Sequence, residues 1–218
     1  MERPQDRPRY IAVEGPIGVG KTTLTQLLAE RMGGRLILEP VEENPFLPAF
    51  YEDPRKNAFQ TQLFFLLSRF QQQQQLFQQD LFTQSTVCDY LFAKDRIFAG
   101  LTLDQNELAL YERLYEALQP RVVKPDLVVY LQARNEVLMR RIARRGRGYE
   151  RDIDPAYVAA LAAAYNDFFF HYDETPLLVV NTSDIDIVAN EGDLEALAAV
   201  IRRHRKGTQH YIPGGTGR

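Results

Sequence analysis

Residues 15–22 read Gly-Pro-Ile-Gly-Val-Gly-Lys-Thr and so complete the pattern G-x-x-x-x-G-K-T. Gly15, Gly18 and Gly20 let successive backbone N–H groups turn inward around phosphate oxygens, with Pro16, Ile17 and Val19 forming the rest of the loop. Lys21 then reaches toward β- and γ-phosphates, and the Thr22 hydroxyl is a ligand for Mg²⁺. Thr23 follows in a helical pattern, whose N-terminus favours negative charge. A glycine-rich strand-to-helix turn can also bind nothing. Here, however, an apolar strand pattern, the loop and a helix come in the order that a nucleoside triphosphate site requires, and ATP with Mg²⁺ is the expected occupant.

The elements that must position this loop follow from periodicity. Five short apolar runs, at 10–13, 36–38, 86–88, 127–131 and 177–180, alternate with helical patterns. This predicts an α/β fold of the P-loop type, a five-stranded parallel sheet with helices on both faces. In such sheets ligands sit beyond the carboxyl ends of the strands, where this chain places Gly15, Glu39, Asp89, Arg134 and Asn181. Two of these, Glu39 and Asp89, are carboxylates beside the expected triphosphate, suited to proton transfer or to Mg²⁺. The plainer alternative is that both cap the turns that follow.

Helical patterns carry further candidates. Over 57–82, Phe59, Leu63, Leu66, Leu67 and Phe70 form an apolar stripe, and Gln62 and Arg69, seven apart, share one side of it. An amide and a guanidinium aimed together can read a nucleobase edge, although on spacing alone such a pair is ordinarily solvated. The glutamine run at 71–75 reads as a solvated continuation of the same helix. A second amphipathic helix covers 106–118, its stripe explained equally by core packing or by dimerisation. A third spans 136–145, where Arg141, Arg144 and Arg145 cluster ahead of Gly146 and Arg147, either as a solvated basic face or as arginines that close over phosphates. Asp154 and Pro155 open a helix to about 170, and a last one runs from 194 to about 204, after Gly192 and Asp193.

Composition bounds the rest. A chain of 218 residues, 45% hydrophobic, can bury one sizeable core, expected here as a single domain over 10–206 with flexible segments at 1–9 and 207–218. A formal net charge of −3 argues against general nucleic-acid binding. The single cysteine, Cys88, sits in an apolar stretch and reads as a buried reduced thiol. No apolar run approaches the ~18 residues of a membrane span, and the polar start has no leader-like core, so a cytoplasmic, membrane-free protein is expected. None of His171, His204 and His210 has metal-ligand spacing, which leaves zinc hydrolysis without support.

Taken together, the run from Glu14 to Thr22, Glu39-Pro-Val41, Tyr51-Glu-Asp-Pro54, the Gln62 to Arg69 helix and Arg145-Gly-Arg147 resemble the deoxynucleoside kinase family, collinearly over about 10–170. Within it, Val41-Glu-Glu-Asn-Pro-Phe46, Gln62-Leu-Phe-Phe65 and Asp89-Tyr90 are most similar to bacterial deoxyguanosine and deoxyadenosine kinases. The resemblance implies a P-loop kinase fold and transfer of the γ-phosphoryl of ATP to the 5′-hydroxyl of a deoxyribonucleoside, in a homodimer. It implies that Glu39 takes the hydroxyl proton, that Gln62 and Arg69 face the base, and that Phe98 lies against its plane. That reverses the solvated reading of Gln62 and Arg69. Tyr51 and Glu150 would bond the 3′-hydroxyl, while Arg141, Arg145 and Arg147 would belong to a lid at about 140–153. Asp89, with Thr22 and Glu39, would serve Mg²⁺.

The chain departs from the family pattern at Tyr90, where most members carry arginine after the acid. Lys94 or Arg141 is then expected to compensate. The next stretch is one residue short, so Asp95 matches the family's base-reading aspartate only ambiguously. An Arg69–Asp95 pair favours amino-bearing bases, with deoxyguanosine or deoxyadenosine preferred. The rival enzyme is a nucleoside monophosphate kinase of the thymidylate type; from another class, a nucleotide-binding switch without turnover remains. The donor base is expected at 181–186.

Overall fold

The structure is a computed structural model that describes residues 9–78, 85–185 and 190–212. At its centre β1 (Tyr10–Glu14) is buried at every position, as a strand covered on both faces must be. β3 (Thr86–Cys88) and β4 (Leu127–Gln132) flank it in parallel. With β2 (Arg35–Ile37), β5 (Leu177–Asn181) and β6 (Thr208–Tyr211), the order is β2-β3-β1-β4-β5-β6, and every pairing is parallel.

The sheet thus has six strands where five were expected, and the extra one lies in the segment expected to be a flexible tail. Thr208, Gln209 and His210 are exposed and carry no apolar run. β6 forms because the outer edge of β5 offers unpaired main-chain groups, in a register from Leu177 opposite Thr208 to Val180 opposite Tyr211. The expectation for 1–9 falls on residues outside the described ones except at Arg9. That side chain is buried and donates to the Ile201 and His204 carbonyls, at 2.9 and 3.0 Å.

Period-two alternation assigns the two faces. Ile11, Val13, Val129, Leu131, Leu178 and Val180 share one core cluster with α1 (Lys21–Met32), α6 (Asn135–Arg145) and α8 (Glu191–Arg203). Ala12, Val128, Tyr130, Leu177 and Val179 share the other with α4 (Asp95–Thr102) and α7 (Pro155–Phe170), where Tyr130 and Phe169 stack at 4.1 Å. Cys88 is fully buried in β3, and burial pushes its thiol well above the ordinary range.

The long α3 (Pro54–Gln78) packs against α2 (Leu47–Glu52), α4 and α5 (Gln105–Leu118). Capping decides several boundaries. Asp104 and Glu107 form a reciprocal capping box on α5, Asp154 caps α7 ahead of Pro155, and Asn190 caps α8, which places Gly192 and Asp193 inside its first turn. The stripe on α5 is core: Tyr111 and Tyr115 are buried against Leu66 and Phe92, with Leu108, Leu114 and Leu118 beside them, and Leu110 faces outward. Among the described residues no helix is long and apolar enough to cross a membrane.

Candidate active site

The phosphate loop joins β1 to α1 and lies hard against its neighbours. A Cβ on Gly15 (φ +152°) would sit 2.5 Å from the Leu131 carbonyl oxygen, and one on Gly18 (φ +82°) 2.8 Å from that of Leu138. Both positions therefore demand glycine for space as well as for backbone conformation. The first turn of α1 contains no acidic residue, so its positive end is left for an anion. Lys21 Nζ folds back on the loop, donating to the Gly15 carbonyl at 2.7 Å and the Pro16 carbonyl at 3.2 Å. Burial lowers its pKa to about 8 and the nearby Lys94 reinforces this, while Glu14 opposes.

Asp89, at the tip of β3, ties the loop to the next strand. It accepts from Thr22 Oγ1 at 2.7 Å through one oxygen and from the Glu39 backbone N–H at 2.7 Å through the other. The hydroxyl and carboxylate are hard oxygen donors, a set that fits Mg²⁺ held partly by substrate phosphates.

Glu39, just past β2, stands between this phosphate side and α3. Its side chain is 8% exposed, and each oxygen has a cation: Arg69 Nη2 donates to Oε1, and Lys94 Nζ to Oε2 at 2.7 Å. Burial alone would raise its pKa, but Arg69 and Lys94, with Lys21 behind them, overcome this and hold the carboxyl at about 2. Arg69 Nη1 pairs in turn with Asp95, itself buried at the start of α4. Gln62 is also buried, with Nε2 donating to Thr102 Oγ1 at 3.4 Å. Neither Gln62 nor Arg69 is solvated, because α4 and α5 close over that edge of α3, which spacing along α3 does not reveal. Phe98 packs edge-on against Tyr165, with centroids 6.1 Å apart.

The loop from Ile17 to Thr23, with Asp89, Glu39, Lys94, Arg69, Gln62 and Phe98, lines one cavity of about 920 Å³. Its mouth is crossed by the segment after α6. Arg145 makes a bidentate pair with buried Glu150, its closest contact 2.5 Å, and Arg147 Nε reaches Glu42 at 3.0 Å. Tyr149 donates to the same Glu42 at 2.9 Å and stacks on Tyr51 with centroids 5.6 Å apart. Arg141 points the other way. It donates to the carbonyls of Val19 at 3.0 Å, Thr182 at 2.8 Å and Ile185 at 3.3 Å, so it bridges the phosphate loop to the segment after β5. Arg134 pairs outward with Asp184 at 2.6 Å, and Asp186 lies outside the described residues.

Three residues of the site had escaped the sequence reading or entered it only in passing. Glu14 comes to the site at the end of β1, Glu42 through its contacts with Arg147 and Tyr149, and Lys94 through a short 3₁₀ turn, Phe92–Lys94. A lysine at 3% exposure next to a candidate acid is the strongest of these, but no periodicity marks it as buried.

The family model described as Deoxynucleoside kinase matches residues 11–205. The chain is 36% identical to a deoxyguanosine kinase of Bacillus subtilis (strain 168) over 198 residues, covering 88% of this chain and 96% of that one. It is 32% identical to the deoxyadenosine/deoxycytidine kinase of the same organism over 208 residues, covering 90% and 94%. Among solved structures, deoxyadenosine kinase from M. mycoides with bound dATP superposes with a TM-score of 0.77 at 26% identity, over 88% of this chain and 98% of that one. A phosphate loop, two strand-tip carboxylates and the buried Gln62 and Arg69 in one cavity agree with the match along nearly the whole chain: it belongs to the deoxynucleoside kinase family.

Proposed function

We propose that this deoxynucleoside kinase transfers the γ-phosphoryl of ATP to the 5′-hydroxyl of a purine deoxyribonucleoside, deoxyguanosine or deoxyadenosine, in nucleotide salvage in the cytoplasm. The observation that carries the reading is the place of Glu39. Its carboxylate stands between the Thr22–Asp89 contact on the donor side and the Arg69–Asp95 pair on the base side. A sugar whose base meets Gln62 and Arg69 brings its 5′-hydroxyl toward Glu39.

The roles follow from chemistry. The acceptor is a neutral hydroxyl and the transition state is loose, so a positioned carboxylate that takes the proton late is sufficient, and Glu39 is ionised throughout the neutral range. Lys21 exchanges its two carbonyl partners for phosphate oxygens. Thr22 and Asp89 would hold Mg²⁺, which neutralises β/γ charge when bound; both oxygens of Glu39 are engaged by cations. Gly15 to Thr23 cradle the triphosphate. Arg141 and the residues at 181–185 serve the donor side. Arg145 and Arg147 belong to a lid at about 140–153 and meet the transferring charge when it closes.

On the acceptor side Gln62, Arg69 and Asp95 present donors and acceptors together, as the edges of guanine and adenine require, and Phe98 supplies an apolar plane. Tyr51 and Glu150 lie at the cavity wall where a 3′-hydroxyl would be met. The name of the similar deoxyguanosine kinase supports the purine, and that of the deoxyadenosine/deoxycytidine kinase names one purine and one pyrimidine nucleoside. A homodimer through helical surface, with Leu110 exposed on α5, completes the proposal.

The test is ATP-dependent phosphorylation of the four deoxynucleosides and their monophosphates with Mg²⁺, with Glu39→Gln as control. Turnover strongest with a purine deoxynucleoside and lost in the variant is expected; turnover of monophosphates alone would overturn the acceptor assignment.

A further inference from the structure

Lys94 is buried to 3% exposure in the turn between Asp89 and α4. A buried ammonium is costly unless a carboxylate faces it. Two do: Glu39 Oε2 at 2.7 Å and Glu14 Oε2 at 4.0 Å. Glu14 has no need of this cation for its own hydrogen bonding. Its fully buried carboxylate accepts from the Gly15 N–H at 2.9 Å, the Leu91 N–H at 2.8 Å and the Tyr165 hydroxyl at 3.1 Å. It is therefore a fixed negative anchor at the root of the phosphate loop. Lys94 spans from that anchor to Glu39, which links the first peptide of the loop to the acceptor-side acid.

Among the described residues, the other cations near Glu39 and the phosphate loop are otherwise engaged. Lys21 is committed to the loop carbonyls, and Arg69 divides its charge between Glu39 and Asp95. Arg141 serves the donor side. Tyr90, directly after Asp89, is fully buried in a core cluster with Tyr10, Ile37 and Cys88 and contributes no charge to the cavity.

We infer that Lys94 is the positioning residue for Glu39: from its Glu14 anchor it holds the carboxylate toward the phosphate loop and balances charge on the acceptor side of the transfer. This rests on the reading of Glu39 as the acceptor-side acid. Glu39 has one oxygen on Arg69, at the base end, and one on Lys94, at the phosphate end. Removing Lys94 leaves the carboxylate free to swing toward Arg69, away from the hydroxyl it must meet.

The experiment is a double-mutant cycle on kcat and on KM for ATP and for deoxyguanosine and deoxyadenosine, using Lys94→Met, Glu39→Gln and the pair together, with melting temperatures of each. Displacing a reacting group by about 1 Å costs about a hundredfold, so Lys94→Met should lower kcat by that order. KM for ATP should stay within about threefold, and the double variant should be no slower than Glu39→Gln alone. Wild-type-like kcat in Lys94→Met would overturn the inference, as would losses that multiply in the double variant, since that places Lys94 outside the action of Glu39. Near-normal kcat in Glu39→Gln removes the acid assignment itself, a failure visible in that arm alone. If Lys94→Met does not fold, Lys94→Gln, which keeps a donor without the charge, carries the same cycle with the same two outcomes.

Discussion

The two ends of the cavity store positive charge differently. On the acceptor side, Arg69 and Lys94 are 3% and 4% exposed and paired to carboxylates that are themselves buried. At the mouth, Arg145 and Arg147 are 37% and 30% exposed; Arg145 is paired to Glu150, which is buried, whereas Arg147 rests on Glu42, which is 63% exposed. Buried pairs are hard to exchange, because removing one partner strands the other in a low dielectric. Exposed pairs contribute little and exchange readily. The Glu39 side of the cavity is thus built in advance, while at the mouth Arg147 rests on an exposed contact that exchanges readily and Arg145 on a buried one that does not.

The sharpest way to break this contrast is Glu39→Gln. It should lower kcat by about 10³-fold with little change in KM for ATP, the order expected for a positioned acid–base group. Steady-state kinetics decide, and near-normal kcat would remove the acceptor half from the chemistry. Lys21→Ala should lower kcat by on the order of 10²-fold and also raise KM for ATP, since Lys21 meets phosphate in ground and transition states alike. Arg145→Ala should cost about 10-fold to 100-fold in kcat, less than a sole arginine finger because Arg147 remains. If its loss matched that of Glu39→Gln, the mouth would be as indispensable as the acceptor side.

Protonation sharpens the same contrast. In the free protein burial depresses Lys21 to about 8, so above that pH its amine is increasingly neutral, and binding a phosphate that favours the charged form makes the amine take up a proton. ATP affinity should therefore fall as pH rises through about 8, and calorimetry at about pH 9 in two buffers of different ionisation enthalpy should show proton uptake that is absent near pH 6.5. The smallest effect is expected far from both ends. Asp104→Ala removes the capping box of α5 and should cost about 1 kcal/mol in chemical denaturation with kcat unchanged.

How much was legible depended on whether the signal was local. The phosphate loop, the five strands β1 to β5 and the Asp154–Pro155 start of α7 are written in consecutive residues and appear where expected, with boundaries shifted by a residue or two. α2 and α4 have 6 and 8 residues, too short for a helical period to stand out. Gln62 and Arg69 came to the site only through family resemblance, since their spacing also suits a solvated face. Lys94 gives no pattern at all: its burial depends on Glu14 and Glu39, 80 and 55 residues away in the chain.

What the sequence determined by itself is the triphosphate loop, the alternation that builds a parallel sheet, and the family. Glycine conformation, helix termini and apolar periodicity act between near neighbours, so they are readable without the fold. The tertiary structure alone decided which charges meet: Arg69 with Asp95, Lys94 between Glu14 and Glu39, Arg147 on Glu42. It also decided that the largely exposed Thr-Gln-His-Tyr segment becomes a sixth strand, with Tyr211 against the core. Ion pairs and edge pairing draw their energy from partners distant in sequence, and only the packed chain brings those partners together.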